Sequence, residues 1–234
     1  MGIEITPLTP TIGAEIRGVD LRETLSPDHV RSIRQALLDH LVVFFPDQDI
    51  TPAQHVAFGR AFGELCYPPF MTEHGSDPEI LVLDQVAPRG EGTDTWHSDN
   101  TFMAEPPLGS ILKAITLPSQ GGDTCFASAY AAYDALSDPM KKFLEGLTAT
   151  HDLTATLERA NAAGHTQADI PAVLAKSPPV SHPIVRTHPE TKRKALFVNA
   201  NSTTRIEGLS LAESRNLLPF LCEHIRAPEF QCRF

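Results

Sequence analysis

Residues 182–199 read HPIVRTHPETKRKALFVN, and this stretch gives the clearest indication of how the chain folds. Apolar residues on both sides of a polar segment predict two strands joined by a loop. We place that loop at Thr187–Arg193, so that the stretch forms a β-hairpin. His182 and His188 each precede a proline, which restricts their backbone to extended or turn-like conformations. We therefore interpret both histidines as structural residues and not as metal ligands.

Helix and strand signals alternate along the rest of the chain. Four helices are marked by an N-cap residue with an early proline or a capping box, and these N-caps are Ser26, Thr51, Ser137 and Ser210. Residues 154–179 are alanine-rich and polar, which predicts a helical excursion. Short strands are predicted within 3–19, 41–45, 80–83, 109–117, 195–199 and 228–234, and at Phe126. This mixture predicts an α+β fold built around a β core.

The composition fits a single globular domain over residues 1–234, because 41% of the residues are hydrophobic. The formal net charge of −10 argues against a nucleic-acid partner, whose phosphates require a basic surface. No apolar run is longer than five residues and no signal peptide is visible. We therefore expect a cytoplasmic protein without a membrane partner. Its four well-separated cysteines are typical of free thiols in a reducing compartment.

Residues 96–99, WHSD, hold the most chemically informative pair of side chains. On an extended strand, His97 and Asp99 project to the same face because residues two apart alternate together. An imidazole beside a carboxylate supplies two of the three ligands of the facial triad that binds ferrous iron. The alternative is a plain His–Asp hydrogen bond, which the spacing alone favours. The pair by itself leaves both interpretations open.

Several further segments occur together with WHSD, in residues 12–14, 42–45, 47–48, 62–65, 96–102, 118–124, 182–189, 195–199, 203–206 and 228–231. Their order and gaps along nearly the whole chain resemble the taurine dioxygenase family of iron(II)- and 2-oxoglutarate-dependent oxygenases. The resemblance implies a double-stranded β-helix, or jelly roll, with flanking helices. It also implies three cofactors and co-substrates: Fe(II), 2-oxoglutarate and O2.

The resemblance also implies roles for individual residues. His97 and Asp99 are implied iron ligands, and the hydroxyl of Thr124 is implied to bind a carboxylate of 2-oxoglutarate. In the family, a third histidine ligand and an arginine that binds the other carboxylate follow on later strands. Their positions fall beyond Phe234. We therefore expect residues 1–234 to be an oxygenase domain that is incomplete at its C-terminus, without its closing strands.

The substrate is expected to be a small organic acid other than taurine. Taurine-specific members have His and Tyr where this chain has Pro68 and Met71, and neither of these side chains donates a hydrogen bond. By the resemblance, such acids are alkyl sulfates, sulfonates or aryloxy acids, and their hydroxylation releases succinate and CO2. The candidate substrate-pocket residues are Tyr67, Met71, Thr93, Asn100, Phe102, Leu153 and Ser202.

Two other functions remain open at this stage. One is a metal enzyme on a cupin-like barrel that uses water instead of 2-oxoglutarate. The other is a non-catalytic binding or assembly domain, which would need neither the third ligand nor the arginine. For the oxygenase we expect a small-molecule substrate as the main partner, and association into a homo-oligomer.

Overall fold

A computed structural model describes residues 2–66, 80–82, 95–164 and 166–234. Within it the chain groups into two compact units. The first unit consists of Met1–Leu83, Ile111–Ser128 and Pro228–Phe234, and the second of Asp84–Ser110 and Ala129–Ala227. Helices and strands are mixed in sequence, which confirms the predicted α+β class. In the described part of the chain, no helix has both the length and the apolar character needed to cross a membrane.

The first unit contains a three-stranded sheet near the start of the chain. Strands β1 (Glu4–Pro7) and β2 (Ala14–Arg17) are antiparallel, and β3 (Val43–Phe44) runs parallel to β2. These strands confirm the predictions for residues 3–19 and 41–45. The chain turns between β1 and β2 at Gly13, whose N–H donates to the carbonyl of His40 at 2.8 Å.

Two helices pack against this sheet. Helix α1 covers Pro27–His40 and α2 covers Pro52–Arg60, each starting at the predicted N-cap residue. Their inward residues form a buried core with strand β2, and this core includes Ile16, Ile33 and Phe58. The N-cap hydroxyls satisfy backbone N–H groups that otherwise have no partner within a helix, which explains why the helix starts could be predicted from sequence.

A second small sheet of the first unit pairs β4 (Cys125–Ala127) with β10 (Gln231–Arg233) in antiparallel fashion. Phe44 stacks on Phe234 at a centroid distance of 4.0 Å. The strand predicted at 228–234 is partly wrong, since Pro228–Phe230 form a 3-10 turn before β10. Proline lacks the N–H that a strand would need at this position.

Two predicted strands are wrong for the described residues. Residues 80–82 and 109–117 have no regular structure. Among the described strands none pairs with them, and apolar side chains such as Ile115, 82% exposed, face solvent. An apolar pattern indicates that a segment can pair, but it does not supply the partner that a strand requires.

The sheet of the second unit has the order β6–β5–β9, with β5 at Thr148–His151, β6 at Val180–Pro183 and β9 at Thr203–Ile206. The predicted hairpin is confirmed next to it. Strand β7 (Val185–Thr187) pairs antiparallel with β8 (Lys194–Leu196). The strand predicted at 195–199 is therefore shorter than expected, because the chain leaves the hairpin after Leu196.

The described part of the second unit also contains the helices α3 (Ala129–Ala135), α4 (Asp138–Leu144), α5 (Thr154–Ala162), α6 (Ile170–Lys176) and α7 (Leu211–Ile225). The predicted N-caps Ser137 and Ser210 begin α4 and α7, and α5 with α6 confirm the helical excursion. Leu144, Ile184, Ile206 and Leu221 are completely buried.

Gly13 is a position where we expect a side chain to be destabilising. Its φ is +92°, and an added Cβ would lie 2.9 Å from Sγ of Cys232. Because both the left-handed backbone and the contact are unfavourable, Gly13→Ala should lower the free energy of unfolding by about 2 kcal/mol. Urea denaturation measures this loss. Gly109→Ala is the control, since a Cβ there meets no described atom within 4 Å. Equal stability of the two variants would contradict the prediction.

Candidate active site

His97 and Asp99 lie side by side, with Nε2 of His97 3.1 Å from Oδ1 of Asp99. The side chains are 32% and 48% exposed, so both can be reached from solvent. The pairing was predicted, but the extended strand was not found. Residues 96–98 have no regular structure, and a turn begins at Asp99. Asn100 has φ +55°, a left-handed conformation that asparagine tolerates better than most residues.

Each member of the pair has a second partner that fixes its orientation. Nδ1 of His97 donates to the carbonyl of Thr95 at 2.6 Å, which leaves Nε2 on the side of Asp99. The hydroxyl of Ser110 donates to Oδ2 of Asp99 at 2.5 Å. The sequence analysis missed Ser110, because no local pattern relates a serine to a carboxylate eleven residues earlier. Metal-binding histidines and carboxylates are commonly oriented by such contacts.

The electrostatics of the pair favour a charged carboxylate next to a charged imidazole. The hydrogen bond to Asp99 raises the pKa of His97 above its usual value, although burial and, to a smaller extent, the positive charge of Arg159 act in the opposite direction. The hydrogen bond from His97 lowers the pKa of Asp99, and the hydroxyl of Ser110 adds to this effect. A divalent cation can replace the proton that the two side chains share, since metal ligands bind in their deprotonated forms.

The pair fits two ligand positions of a ferrous ion. One imidazole nitrogen and one carboxylate oxygen are close enough to bind the same ion, and both side chains are held by further hydrogen bonds. The described residues contain no group of three His, Cys, Asp or Glu side chains that could hold a metal ion.

A buried polar network lies behind the turn that carries the pair. Thr101 is 1% exposed, and its Oγ1 accepts from Nδ2 of Asn199 at 2.9 Å. The same Oγ1 is 3.1 Å from Nδ1 of His151, which is completely buried. Oδ1 of Asn199 accepts from the backbone N–H groups of Asn201 and Ser202. Through Thr101, two residues after Asp99, this network anchors the turn to the chain segment that follows the hairpin.

His151 is electrically neutral at neutral pH. Burial lowers its pKa to about 4, and the neighbouring His182 acts in the same direction, while Asp152 opposes it. The rings of His151 and His182 are 5.2 Å apart, and His182 donates through Nε2 to the carbonyl of Met103 at 2.9 Å. His151, through Thr101, and His182, through the carbonyl of Met103, therefore help to hold the turn in place.

The candidate substrate-pocket residues of the second unit cluster around this network. Asn100 and Phe102 flank Thr101, and the backbone N–H of Asp152, next to Leu153, donates to the carbonyl of Ser202 at 2.9 Å. Phe102, Leu153 and Ser202 are at most 5% exposed. Three other candidates, Tyr67, Met71 and Thr93, lie outside the described residues.

Thr124, the candidate contact for 2-oxoglutarate, belongs to the first unit. It is exposed and directly precedes β4. Its backbone exchanges two hydrogen bonds with Phe234, at 2.9 and 3.0 Å. The backbone of Thr124 is therefore fixed while its side chain is open to solvent.

Comparison with known proteins assigns the class. The model of the taurine catabolism dioxygenase TauD, TfdA family matches residues 4–234, and the chain belongs to this family. The match confirms the predicted class of enzyme, a 2-oxoglutarate-dependent dioxygenase.

Three curated relatives are similar over nearly all of this chain. An alpha-ketoglutarate-dependent 2,4-dichlorophenoxyacetate dioxygenase from Cupriavidus pinatubonensis is 34% identical over 100% of the chain and 85% of its own length. An alpha-ketoglutarate-dependent sulfate ester dioxygenase from Pseudomonas putida is 31% identical over 99% and 77%. The chain spans only 57% of the length of a Schizosaccharomyces pombe relative, which is 32% identical over 95% of the chain.

Two solved structures have similar folds. A taurine dioxygenase from Burkholderia xenovorans shares 37% identity with a TM-score of 0.82, covering 100% of this chain and 76% of that one. The structure of AAD-2 in complex with Mn(II) and N-oxalylglycine shares 30% identity with a TM-score of 0.78, covering 99% and 82%.

The low pKa of His151 predicts a loss of stability in acid. Below pH 6.5 the unfolded chain binds a proton at this histidine, whereas the folded chain does not until about pH 4. The contribution of the neutral His151 to the free energy of unfolding is therefore fully present above pH 6.5. It is lost as the pH falls towards 4, which lowers the free energy of unfolding by at most about 3 kcal/mol. Urea denaturation at several pH values measures this decline. His151→Gln cannot titrate and should show a smaller decline; a decline as steep as that of the unmodified protein would refute the assignment.

Proposed function

We propose that the intact protein is an Fe(II)- and 2-oxoglutarate-dependent dioxygenase that hydroxylates a small organic acid, releasing succinate and CO2. The observation that carries this proposal is the oriented His97–Asp99 pair in a chain of the TauD, TfdA family. The Mn(II) and N-oxalylglycine in the related AAD-2 structure support a site for a divalent metal and a keto acid.

His97, through Nε2, and Asp99 would hold the iron, and the Thr95 carbonyl with the Ser110 hydroxyl would keep these ligands in place. With 2-oxoglutarate and O2, bound iron supplies the oxidant for hydroxylation. The protein contributes ligands, orientation and a pocket that limits water. Asp99 would occupy the ligand position that chloride takes in halogenating members of the family, which favours hydroxylation over halogenation.

The keto-acid site is proposed to include Thr124, whose hydroxyl would donate to a carboxylate of 2-oxoglutarate. The fixed backbone of Thr124 supports such a role, because the hydroxyl starts from a defined position. We further propose a jelly-roll core, as in the related dioxygenases, and a homo-oligomeric cytoplasmic enzyme. That the third histidine and the arginine lie beyond Phe234 stays a prediction, as does the single-domain organisation.

The proposed substrate is an acid with an oxygen or sulfur atom on the carbon that becomes hydroxylated. The relatives named above act on a phenoxyacetate and on sulfate esters, and an Acinetobacter baylyi relative, 31% identical, is an alkylsulfatase. Hydroxylation next to a heteroatom gives a product that collapses and breaks the carbon–heteroatom bond. The buried side chains of Phe102, Leu153 and Ser202 are proposed to line the pocket for the rest of the molecule.

Removing the carboxylate ligand should remove metal binding. We expect Asp99→Ala to lower Mn(II) affinity and succinate formation by more than about 100-fold, and Ser110→Ala, which only releases Asp99, to lower affinity about 10- to 100-fold. Mn(II) binding is measured by electron paramagnetic resonance. Ser98→Ala is the control, since this exposed serine sits between the two ligands. Full Mn(II) affinity in Asp99→Ala would disprove the assignment of the ligand.

Taurine should be a poor substrate. Pro68 and Met71 offer no hydrogen-bond donor to a sulfonate at positions where taurine-specific members have His and Tyr. We expect the rate of succinate formation with taurine to be at least about 10-fold below the rate with hexyl sulfate or 2,4-dichlorophenoxyacetate. Coupled taurine turnover at an equal rate would show that these two positions do not determine the substrate.

A further inference from the structure

Arg159 on helix α5 has an unusual environment for a cationic side chain. Its Nη2 donates to Oδ1 of Asn201 at 2.5 Å. Its Nε is buried and has no hydrogen-bond partner among the described residues. The described carboxylates form no ion pair with it either. Among the described residues, Arg159 thus pairs its positive charge with a single neutral hydrogen-bond partner, Asn201.

Burying the Nε–H of Arg159 without a hydrogen-bond acceptor is energetically unfavourable unless a further group supplies one. A guanidinium is a permanent cation in proteins, so its charge has to be balanced by neighbouring groups or by a ligand. A buried N–H of a charged group without a partner is unfavourable, and such groups in native proteins require a specific explanation. A negatively charged ligand that binds during function would supply the missing acceptor.

The position of Arg159 connects it to the candidate active site. Asn201, its partner, donates through its backbone N–H to Asn199, and Asn199 donates to Thr101 in the turn that carries Asp99. The hydroxyl of Thr156, one turn earlier on α5, donates to the carbonyl of Asn201 at 3.0 Å. Three consecutive hydrogen bonds therefore join Arg159 to the turn of the metal ligands. All these residues belong to the second unit.

We infer that Arg159 binds the acidic group of the substrate and makes the enzyme select anionic substrates. The guanidinium presents parallel N–H donors that match two oxygens of a sulfate, sulfonate or carboxylate. Asn201 holds Nη2, and we infer that Nε, which has no partner among the described residues, and the remaining guanidinium hydrogens would donate to the anion. This inference rests on the proposed function, and it assigns the substrate-recognition role that Pro68 and Met71 do not fill.

The test separates the substrate from 2-oxoglutarate, since both carry oxyanions. The intact protein, loaded anaerobically with Mn(II) and 2-oxoglutarate, is titrated calorimetrically with hexyl sulfate and with 2,4-dichlorophenoxyacetate. We expect Arg159→Gln to weaken binding of these acids about 10- to 100-fold and to leave the Kd of 2-oxoglutarate within twofold. Arg159→Lys, which keeps the charge but loses the paired donors, should bind the acids with intermediate affinity. Arg215→Gln, at an exposed position on α7, is the charge-matched control and should bind them normally.

Thermal denaturation distinguishes recognition from a structural role. Removing a half-buried charge that has no counterion among the described residues should leave the Tm of Arg159→Gln unchanged or higher, whereas loss of a structural arginine would lower it. If Arg159→Gln unfolds, the comparison between Arg159→Lys and the unmodified protein decides the outcome.

Three results would overturn the inference: unchanged acid affinity in Arg159→Gln, a loss of 2-oxoglutarate affinity instead, or an unmodified complex that binds neither acid. A protein that binds neither Mn(II) nor 2-oxoglutarate would overturn the proposed function. The inference could then still be judged, by titrating the same acids into the metal-free protein and its Arg159→Gln variant.

Discussion

The hydrogen bond from Asn199 to Thr101 is the contact on which the candidate site depends. The turn with His97 and Asp99 has no strand or helix of its own to hold it. Its position is set where Thr101 meets the amide of Asn199, 98 residues later in the chain. The oxygen of the same amide accepts hydrogen bonds from two backbone N–H groups, those of Asn201 and Ser202, in the segment after the hairpin. One side chain therefore orders two irregular segments at once, and a metal site on irregular backbone needs such a contact.

This contact is effective because it is buried. In a region of low dielectric constant a satisfied polar network is rigid, whereas an unsatisfied one is costly, so alternative positions of the turn are disfavoured. His151 is part of the same buried network and is neutral, because a charged imidazole beside His182 would need solvation that the buried site does not provide. The network therefore defines the geometry of the turn at neutral pH, but it also makes the folded protein less stable in acid. Arg159 differs from His151, because it is charged and the described residues satisfy only some of its hydrogen-bond donors.

The sequence predicted features that depend on local chemistry. The N-caps Ser26, Thr51 and Ser210 gave the helix starts, because a capping hydroxyl acts on residues two or three positions away. The hairpin and the His97–Asp99 pair were predictable for the same reason. Features that depend on distant partners were not. The contact of Ser110 with Asp99, the left-handed Asn100 and the unpaired segment 109–117 leave no periodic signal, since what decides them lies elsewhere in the chain.

The contrast between local and distant determinants also applies to function: the class of enzyme is indicated by local motifs, whereas the substrate is determined by side chains that are far apart in the sequence. The two proposed iron ligands, His97 and Asp99, belong to one short motif that can be recognised in the sequence. The proposed substrate pocket draws its side chains from several separate segments, with Phe102, Leu153 and Ser202 among them. Relatives named for a phenoxyacetate and for sulfate esters are 34% and 31% identical to this chain, so overall identity does not separate these substrates. What these acids share is an anionic group. If Arg159, whose Nε is buried, binds this shared group, it selects anionic substrates as a class, and the side chains that line the pocket then discriminate among them.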